Sequence, residues 1–438
     1  MGLTPATQRA DDPTLARLVA AQVLDAVLDA GKPFDQAWSD ADAALARLSR
    51  RDRAFARLMT TAALRRLGEV DQLLDQFLRR PLPDKAAIAH QVLRLVTVQL
   101  KFLDPPPHAA IDQAVRLMRR VGHPALAGLA NAVLRRVHAA PLLAPDQAAR
   151  LNAPPWLLES WAAAHGSQAA LDIARAHLEE PPLDLTVAAD ADGWAERLGG
   201  AVLPTGTVRL SHAGDVTALD GYDAGGWWVQ DAAAALPARL LAPPPGAAAL
   251  DMCAAPGGKT AQLAAMGATV TAVERDPRRA DMLRANLQRL GLAARVEVGD
   301  AAAFTPDAAP RFVLLDAPCS ATGTLRRHPD IARLKSADDI RRAVPAQDRL
   351  LDRAAALLPP GGRLVYAVCS LQPEEGWQRI DALLARNPAL ARDAVAPAEL
   401  PGLEAAITPA GDVMTLPCHW PDRGHLDGFF VARLTRRA

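Results

Sequence analysis

Two short stretches end an apolar run on a cysteine. In "LLDAPCSATG" (Leu314–Gly323) Cys319 follows Pro318, and in "VYAVCS" Cys369 follows Val368. A free cysteine is most often a small buried hydrophobe, but as a thiolate it is a nucleophile able to form a covalent intermediate. The remaining cysteines are Cys253 and Cys418, and neither is assigned a catalytic role. The neighbourhood decides for the first pair. Asp251, Glu274, Asp300 and Asp316 each close a short apolar run. The first of them opens "DMCAAPGGKT", in which Cys253, Ala254, Ala255 and Pro256 lead to Gly257, Gly258 and Lys259. Two glycines ahead of a helix let backbone approach a ligand, and the helix start offers free amides. The spacing is neither G-x-G-x-x-G nor G-x-x-x-x-G-K-[ST], which disfavours a dinucleotide or a nucleoside triphosphate. An acid about twenty positions after such glycines accepts from ribose hydroxyls, a part that falls to Glu274. Asp300 stands where it reaches an adenine amine or its surroundings. Any one of these acids alone is a helix cap. Their succession fits a nucleoside with a ribose and a purine.

The acids need elements to hold them. "AAALD", "ATVTAVE", "ARVEVGD", "RFVLLD" and "GRLVYAV" read as short buried strands, separated by helical stretches such as "DPRRADMLRANLQRLG" and "SADDIRRAVPAQDRLLDRAAALL". Alternating strand and helix predicts a parallel sheet covered on both faces, and such sheets bind ligands beyond the C-terminal ends of their strands. The expected α/β Rossmann-like domain spans 229–438.

The first 140 residues read differently. Leu15, Leu18, Val19, Val23 and Val27 repeat at helical spacing after an Asp12–Pro13 start, and Gly31 stops the run. Further helices are expected from about Asp52 to a stop at Gly68, over "IAHQVLRLVTVQL" up to "PPP" at 105–107, and over "HAAIDQAVRLMRRV" and "LAGLANAVLRRV". These make an all-α bundle over 1–140. The Pro- and Ala-rich "HAAPLLAPDQAARLNAPPW" reads as a linker, and "LDLTVAA" and "VRLSH" suggest a small α+β (RRM-like) subdomain within 141–228.

Length bounds the answer too: 438 residues are too many for one ordinary core. Net charge is zero, yet residues 51–150 carry 16 Lys+Arg against 8 Asp+Glu, and residues 151–438 carry 28 against 34. A basic helical part suggests a polyanion partner. Four scattered cysteines point to a reducing compartment, and no apolar run is long enough to cross a bilayer, so a cytoplasmic location is expected.

"DMCAAPGGKT", "DAPCSATGTLRRHPD" and "VYAVCSLQPEE" closely resemble the RNA cytosine-C5 methyltransferases of the Nop2/Sun (RsmB/Fmu) family. "DRAFARLMTTAALRRL", "PPHAAIDQAV" and "LANAVLRRV" resemble the NusB-like RNA-binding domain that accompanies it. The resemblance covers nearly the whole chain and is weakest between 140 and 225. It implies a class I S-adenosylmethionine-dependent fold, S-adenosyl-L-methionine as cofactor, and 16S rRNA or a small-subunit precursor as partner. No metal, membrane or DNA is expected, and a monomer is. C5 of cytosine is a poor nucleophile, and a thiolate adding to C6 makes C5 an enamine carbon able to take a methyl group. The resemblance makes Cys369 that nucleophile and Cys319 the group that assists release. Spacing leaves the reverse open, because DNA cytosine methyltransferases attack from a "PC" motif.

Asp316 is placed for the N3–N4 edge of cytosine or the cofactor's amino-acid end. Lys259 is placed for the cofactor carboxylate or for Asp316, and the run Arg326–Asp330 for phosphates. Two departures stand out: Val368 replaces the family's usual threonine before the nucleophile, and "PEEGW" replaces "PEEN". Two rival functions remain: a non-catalytic ribosome-assembly factor working through the helical part, and a nicotinamide dehydrogenase, which would need a glycine-rich loop that this chain lacks.

Overall fold

A computed structural model of the chain describes residues 14–103, 106–211 and 214–437. They form two compact units: one runs to Pro155 and takes in His328–Leu334, and the other comprises Trp156–Arg327 and Lys335 onward. No helix among the described residues is long and apolar enough to cross a membrane.

The first unit is helical. Leu15–Leu28 buries Leu15, Val19, Val23, Leu24 and Val27 on one face, the stripe that an amphipathic helix requires. Its expected Asp12–Pro13 start lies outside the described residues. Ser49 caps Arg50–Arg65 by accepting the Asp52 N–H at 3.1 Å. Gly68 does not end this segment as expected. The chain turns at Arg66 and continues helically over Leu67–Asp75. Gly68 is there for packing, since a Cβ would stand 1.9 Å from the Leu151 carbonyl oxygen. The expected linker is likewise partly helix. Pro145 supplies a first-turn position for Pro145–Asn152, which buries Ala148, Ala149 and Asn152. Proline there starts a helix rather than breaking one. Ala87–Val98, Pro107–Arg120 and Ala127–Ala139 are further long helices of the bundle, alongside the shorter Phe34–Asp40 and Asp42–Leu45. Within the same unit, Asp330 accepts the Phe34 N–H at 3.0 Å, and Arg333 donates to the Asn152 carbonyl at 2.9 Å.

The second unit holds two sheets. The smaller is antiparallel, with strands β1 (Leu183–Val187), β2 (Ala201–Val202), β3 (Val208–Leu210) and β4 (Trp227–Val229) in the order β2-β3-β1-β4. The larger contains β5 (Ala248–Met252), β6 (Thr269–Glu274), β7 (Arg295–Val298), β8 (Phe312–Asp316), β9 (Arg363–Val368), β10 (Leu390–Arg392), β11 (Val413–Thr415) and β12 (Phe429–Arg436). Its order is β10-β12-β9-β8-β5-β6-β7, with β11 also on β12. β5 to β9 are parallel, as the sequence pattern predicts, but β12 enters antiparallel beside β9. It arrives from the neighbouring β11 without a crossover helix, which a parallel partner would need. β8 and β9 are nearly continuous apolar runs, and Val313, Leu314, Leu364, Val365 and Tyr366 are wholly buried, as expected where helices cover both faces. β5 lies between β6 and β8, so the connections leave it in opposite directions. That reversal opens a crevice beyond the strand ends.

A buried ion pair ties the small sheet to later loops of this unit. Arg209 on β3 grips Asp184 on β1 through two hydrogen bonds of 2.6 and 2.7 Å, with both side chains under a tenth exposed. Arg209 also donates to the Arg423 carbonyl at 2.8 Å, and Asp184 accepts the Ala232 N–H at 2.9 Å. Removing one member strands the other's charge, so Arg209→Met is expected to cost about 3–5 kcal/mol in a denaturant titration. A loss under ~1 kcal/mol would show that the pair contributes little.

Candidate active site

Everything that could do chemistry gathers at the crevice above β5, β6, β8 and β9. After β5 the backbone takes an unusual path: Cys253 has φ 63°, the Ala255–Pro256 peptide is cis, and Gly257 has φ 106°. Gly257 is required twice over, because a Cβ there would also lie 2.3 Å from Leu283. The helix Gly258–Ala265 starts immediately after it, and its first amides have no partners within the helix. Glu274, at the end of β6, is almost fully buried and holds this loop, accepting the Ala255 N–H at 3.2 Å and the Asp276 N–H at 2.9 Å. Each carboxylate oxygen keeps a lone pair in reserve, so Glu274 can still accept from vicinal hydroxyls.

Asp251 is wholly buried at the end of β5. Its Oδ2 accepts the Thr260 hydroxyl at 2.6 Å, whereas Oδ1 has no partner among the described residues. Burial pushes its carboxyl up to about 7, which an approaching cation would reverse. Asp300 follows β7; it accepts the Ala302 N–H at 3.0 Å and pairs with Arg349 at 3.3 Å. These residues fit S-adenosylmethionine in kind. The glycine loop gives close approach, Glu274 suits the ribose, and the orphaned oxygen of Asp251 suits a cationic centre.

Asp316, at the end of β8, accepts from Lys259 Nζ at 2.7 Å. Burial alone would lower the Lys259 ammonium, but Asp316 outweighs it and holds the group above its ordinary range, with the Cys369 sulfur adding to the effect. Lys259 Nζ also sits 5.2 Å from the centre of the Phe429 ring. Two residues on from β8 comes Pro318–Cys319, and one residue on from β9 comes Cys369. Parallel pairing of Asp316 with Ala367 sets the two loops side by side. The sulfurs stand 3.4 Å apart, within reach of a weak S–H···S contact. That contact, together with burial, raises the Cys319 thiol well above the usual range. Either sulfur can be the donor of this contact. Arg327 stands nearby: burial opposes its charge, while Asp427, with Nε–Oδ2 at 2.7 Å, and the Cys369 sulfur support it.

The remaining cysteines stand apart from this pair. Burial pushes Cys253 up to about 12 and Cys418 up to about 11, leaving both as thiols at neutral pH.

One expectation is corrected. Arg326 does not reach outward for phosphate: it is 1% exposed and donates to the Gly424 carbonyl at 2.8 Å. Arg327, with its side chain 36% exposed, is the reachable member of that run, while Asp330 is buried in the helical unit. Val368 packs fully buried, so the family's threonine hydroxyl has no counterpart there. Gly376 sits where a Cβ would press on the Phe430 ring at 3.1 Å.

Sequence reasoning passed over Glu375, Ser320, Ser370, Phe429 and Asp427, all buried around the cysteines. The repeated Cys-Ser pair and the acid of "QPEE" were the available signals.

Known proteins resemble this chain along most of its length. The family profile "16S rRNA methyltransferase RsmB/F" matches residues 238–435, and that of the NusB family matches 14–139. The chain is 36% identical over 442 residues to ribosomal RNA small subunit methyltransferase B of Sodalis glossinidius (strain morsitans), covering 96% of this chain and 97% of that protein. For the protein of that name from Cronobacter sakazakii (strain ATCC BAA-894) the identity is 33% over 440 residues, with coverages of 96% and 98%. Among solved structures, that of NSun6 from Pyrococcus horikoshii with SFG superposes with a TM-score of 0.56 at 18% identity, over 65% of this chain and 98% of that one, a likeness of fold. The match to curated relatives spans both units, and this chain belongs to the 16S rRNA methyltransferase RsmB/F family, whose methyl donor is S-adenosylmethionine.

Proposed function

We propose that this protein methylates C5 of a cytosine in 16S rRNA, through a covalent bond between the Cys369 sulfur and C6. The observation that carries the reading is the pair of sulfurs 3.4 Å apart, beside the Lys259–Asp316 pair and a nucleoside-type crevice. The cofactor supplies an electrophilic methyl group when bound. Cys369 adds to C6, and the displaced electrons make C5 nucleophilic. Asp316 is in place to accept from the cytosine amine, with Lys259 fixing its carboxylate. Once C5 carries the methyl group and has lost its proton to a base, the C6–S bond breaks. The electron pair returns to Cys369, and the Cys319 thiol receives it with a hydrogen bond. Glu274, Asp251 and the loop Cys253–Lys259, with Asp300 at the rim, hold the cofactor.

The target cytosine must leave any stack before a sulfur reaches C6, which favours a loop or a loosened helix. The NusB-like unit supplies phosphate affinity while the crevice reads one base. An rRNA partner, rather than DNA, puts this work in the cytoplasm, and one chain carries every group the reaction needs, consistent with a monomer.

Incubating the protein with methyl-labelled cofactor and unmodified 16S rRNA, followed by bisulfite sequencing, tests the reading. One cytosine is expected to become bisulfite-resistant. Label landing on a base nitrogen or a ribose, or no transfer to RNA or precursor particle, would overturn it.

A further inference from the structure

Each cysteine in the pair is followed by a serine, and the two serines meet on one carboxylate. Glu375, wholly buried, lies six residues beyond Cys369. Its Oε1 accepts the Ser320 N–H at 2.8 Å and the Gln347 amide at 3.1 Å. Its Oε2 accepts the Ser370 hydroxyl at 2.6 Å and the Ser320 hydroxyl at very short range. Four donors thus converge from three elements: the loop after β8, the loop after β9, and the helix Ala337–Leu357.

The surroundings lock this arrangement. The two serine oxygens are 3.2 Å apart, and the Ser370 oxygen also accepts the Gln372 N–H at 3.1 Å. Thr322 accepts the Leu371 N–H at 3.1 Å, and the Gly323 N–H donates to the Cys369 carbonyl at 3.0 Å. Gln347 also donates to the Pro318 carbonyl at 3.0 Å. From below, the Tyr366 hydroxyl donates to the Glu375 backbone carbonyl at 2.6 Å. A carboxylate taken fully out of water persists only where donors replace its hydration. Here the donors are the residues next to the reacting sulfurs.

We propose that Glu375 is a positioning residue that clamps the two cysteine loops through Ser320 and Ser370 and so sets the distance and orientation between Cys319 and Cys369. It touches neither substrate nor cofactor. Its charge also lies on the Cys319 side and adds to the forces that keep that thiol protonated. Its catalytic consequence rests on the cysteine roles proposed above, while its geometric consequence stands without them.

Two variants separate clamp from scaffold. Glu375→Gln keeps the shape but puts an NH₂ where the serine hydroxyls need an acceptor. Ser320→Ala/Ser370→Ala keeps the charge and cuts both links. The first readout needs no activity: the equilibrium of a Cys319–Cys369 disulfide against oxidised dithiothreitol, which takes up the two electrons and two protons that the thiols lose. It measures the effective concentration of one sulfur at the other, which is expected to fall about tenfold or more in both variants, as for any loss of preorganised proximity. The second readout is turnover on 16S rRNA, where kcat is expected to fall about 100-fold for a displacement of an ångström or so, with KM for RNA and Kd for the cofactor within about twofold of wild type.

Disulfide equilibrium and kcat both unchanged in the variants would overturn the proposal. So would a parallel loss of cofactor affinity, which would make Glu375 a general fold element. If Glu375→Gln does not fold, the double serine variant decides alone. A wild-type protein that never methylates cytosine would instead sink the functional reading, and the disulfide equilibrium would still report on the clamp.

Discussion

Replacing Cys369 by alanine is expected to abolish methyl transfer, lowering turnover on the order of 10⁴-fold or more, as when a covalent nucleophile is removed. No acid-stable protein–RNA adduct should form. Methylation at C5 fails without an electron-rich ring, and neither orientation nor electrostatics supplies the missing electrons. Cys369, rather than Cys319, is the donor of that pair that we propose, following the family resemblance of "VYAVCS". The Cys369 sulfur supports the charged forms of both Lys259 and Arg327. Cys319 is instead held protonated by its sulfur neighbour and by burial. Measuring adduct and product together tells the two assignments apart. A Cys369→Ala protein that still forms the C6 adduct would hand the attack to Cys319. Cofactor affinity should stay near wild type in either case, because Glu274 and the loop after β5 are untouched.

Much of this site is legible in the chain, for a physical reason. In a parallel sheet the residues just beyond each strand share one rim, so a succession of acids after buried apolar runs already places Asp251, Glu274, Asp300 and Asp316 together without coordinates. The same reasoning brings Cys319 and Cys369 to neighbouring strand ends. It does not order the strands, and so cannot say that β8 and β9 are adjacent. That adjacency brings the sulfurs to 3.4 Å.

What stayed hidden depends on partners far away in sequence. Glu375 looks like a surface acid in "QPEE" until Ser320, 55 positions earlier, and Gln347 close over it. Arg326 and Arg327 look alike in "RRHPD", yet one is buried on a carbonyl and the other reaches Asp427, 100 positions on. Proline misled in the opposite direction. Local propensity marks "APDQAARLN" as punctuation, but Pro145 at a helix start is compatible with a buried Ala148–Ala149 face.

Cys319→Ala is expected to separate the two halves of the reaction. Attack and methyl transfer should survive a first turnover, since Cys369, Lys259 and Asp316 remain. Release should fail, so the protein should accumulate as a covalent complex with methylated RNA, visible as a slow band in a denaturing gel. Multiple-turnover rates should fall about 10²-fold or more, the usual scale for loss of proton-transfer or hydrogen-bond assistance. In the resting site the two sulfurs are in contact at 3.4 Å, and the Cys319 thiol is favoured in its protonated form. While Cys369 is bonded to C6 that proton has little to stabilise, because a thioether sulfur is a weak acceptor. As the C–S bond stretches, charge returns to sulfur and the contact strengthens. Such an interaction speeds release, and because it is given up when the sulfur bonds to C6, attack does not depend on it. Alanine removes it and leaves an apolar wall beside a departing thiolate. A Cys319→Ala enzyme that turns over freely would show that solvent, or Arg327, meets the departing sulfur instead. An adduct carrying an unmethylated base would place Cys319 before methyl transfer, and the order of events argued here would have to be reversed.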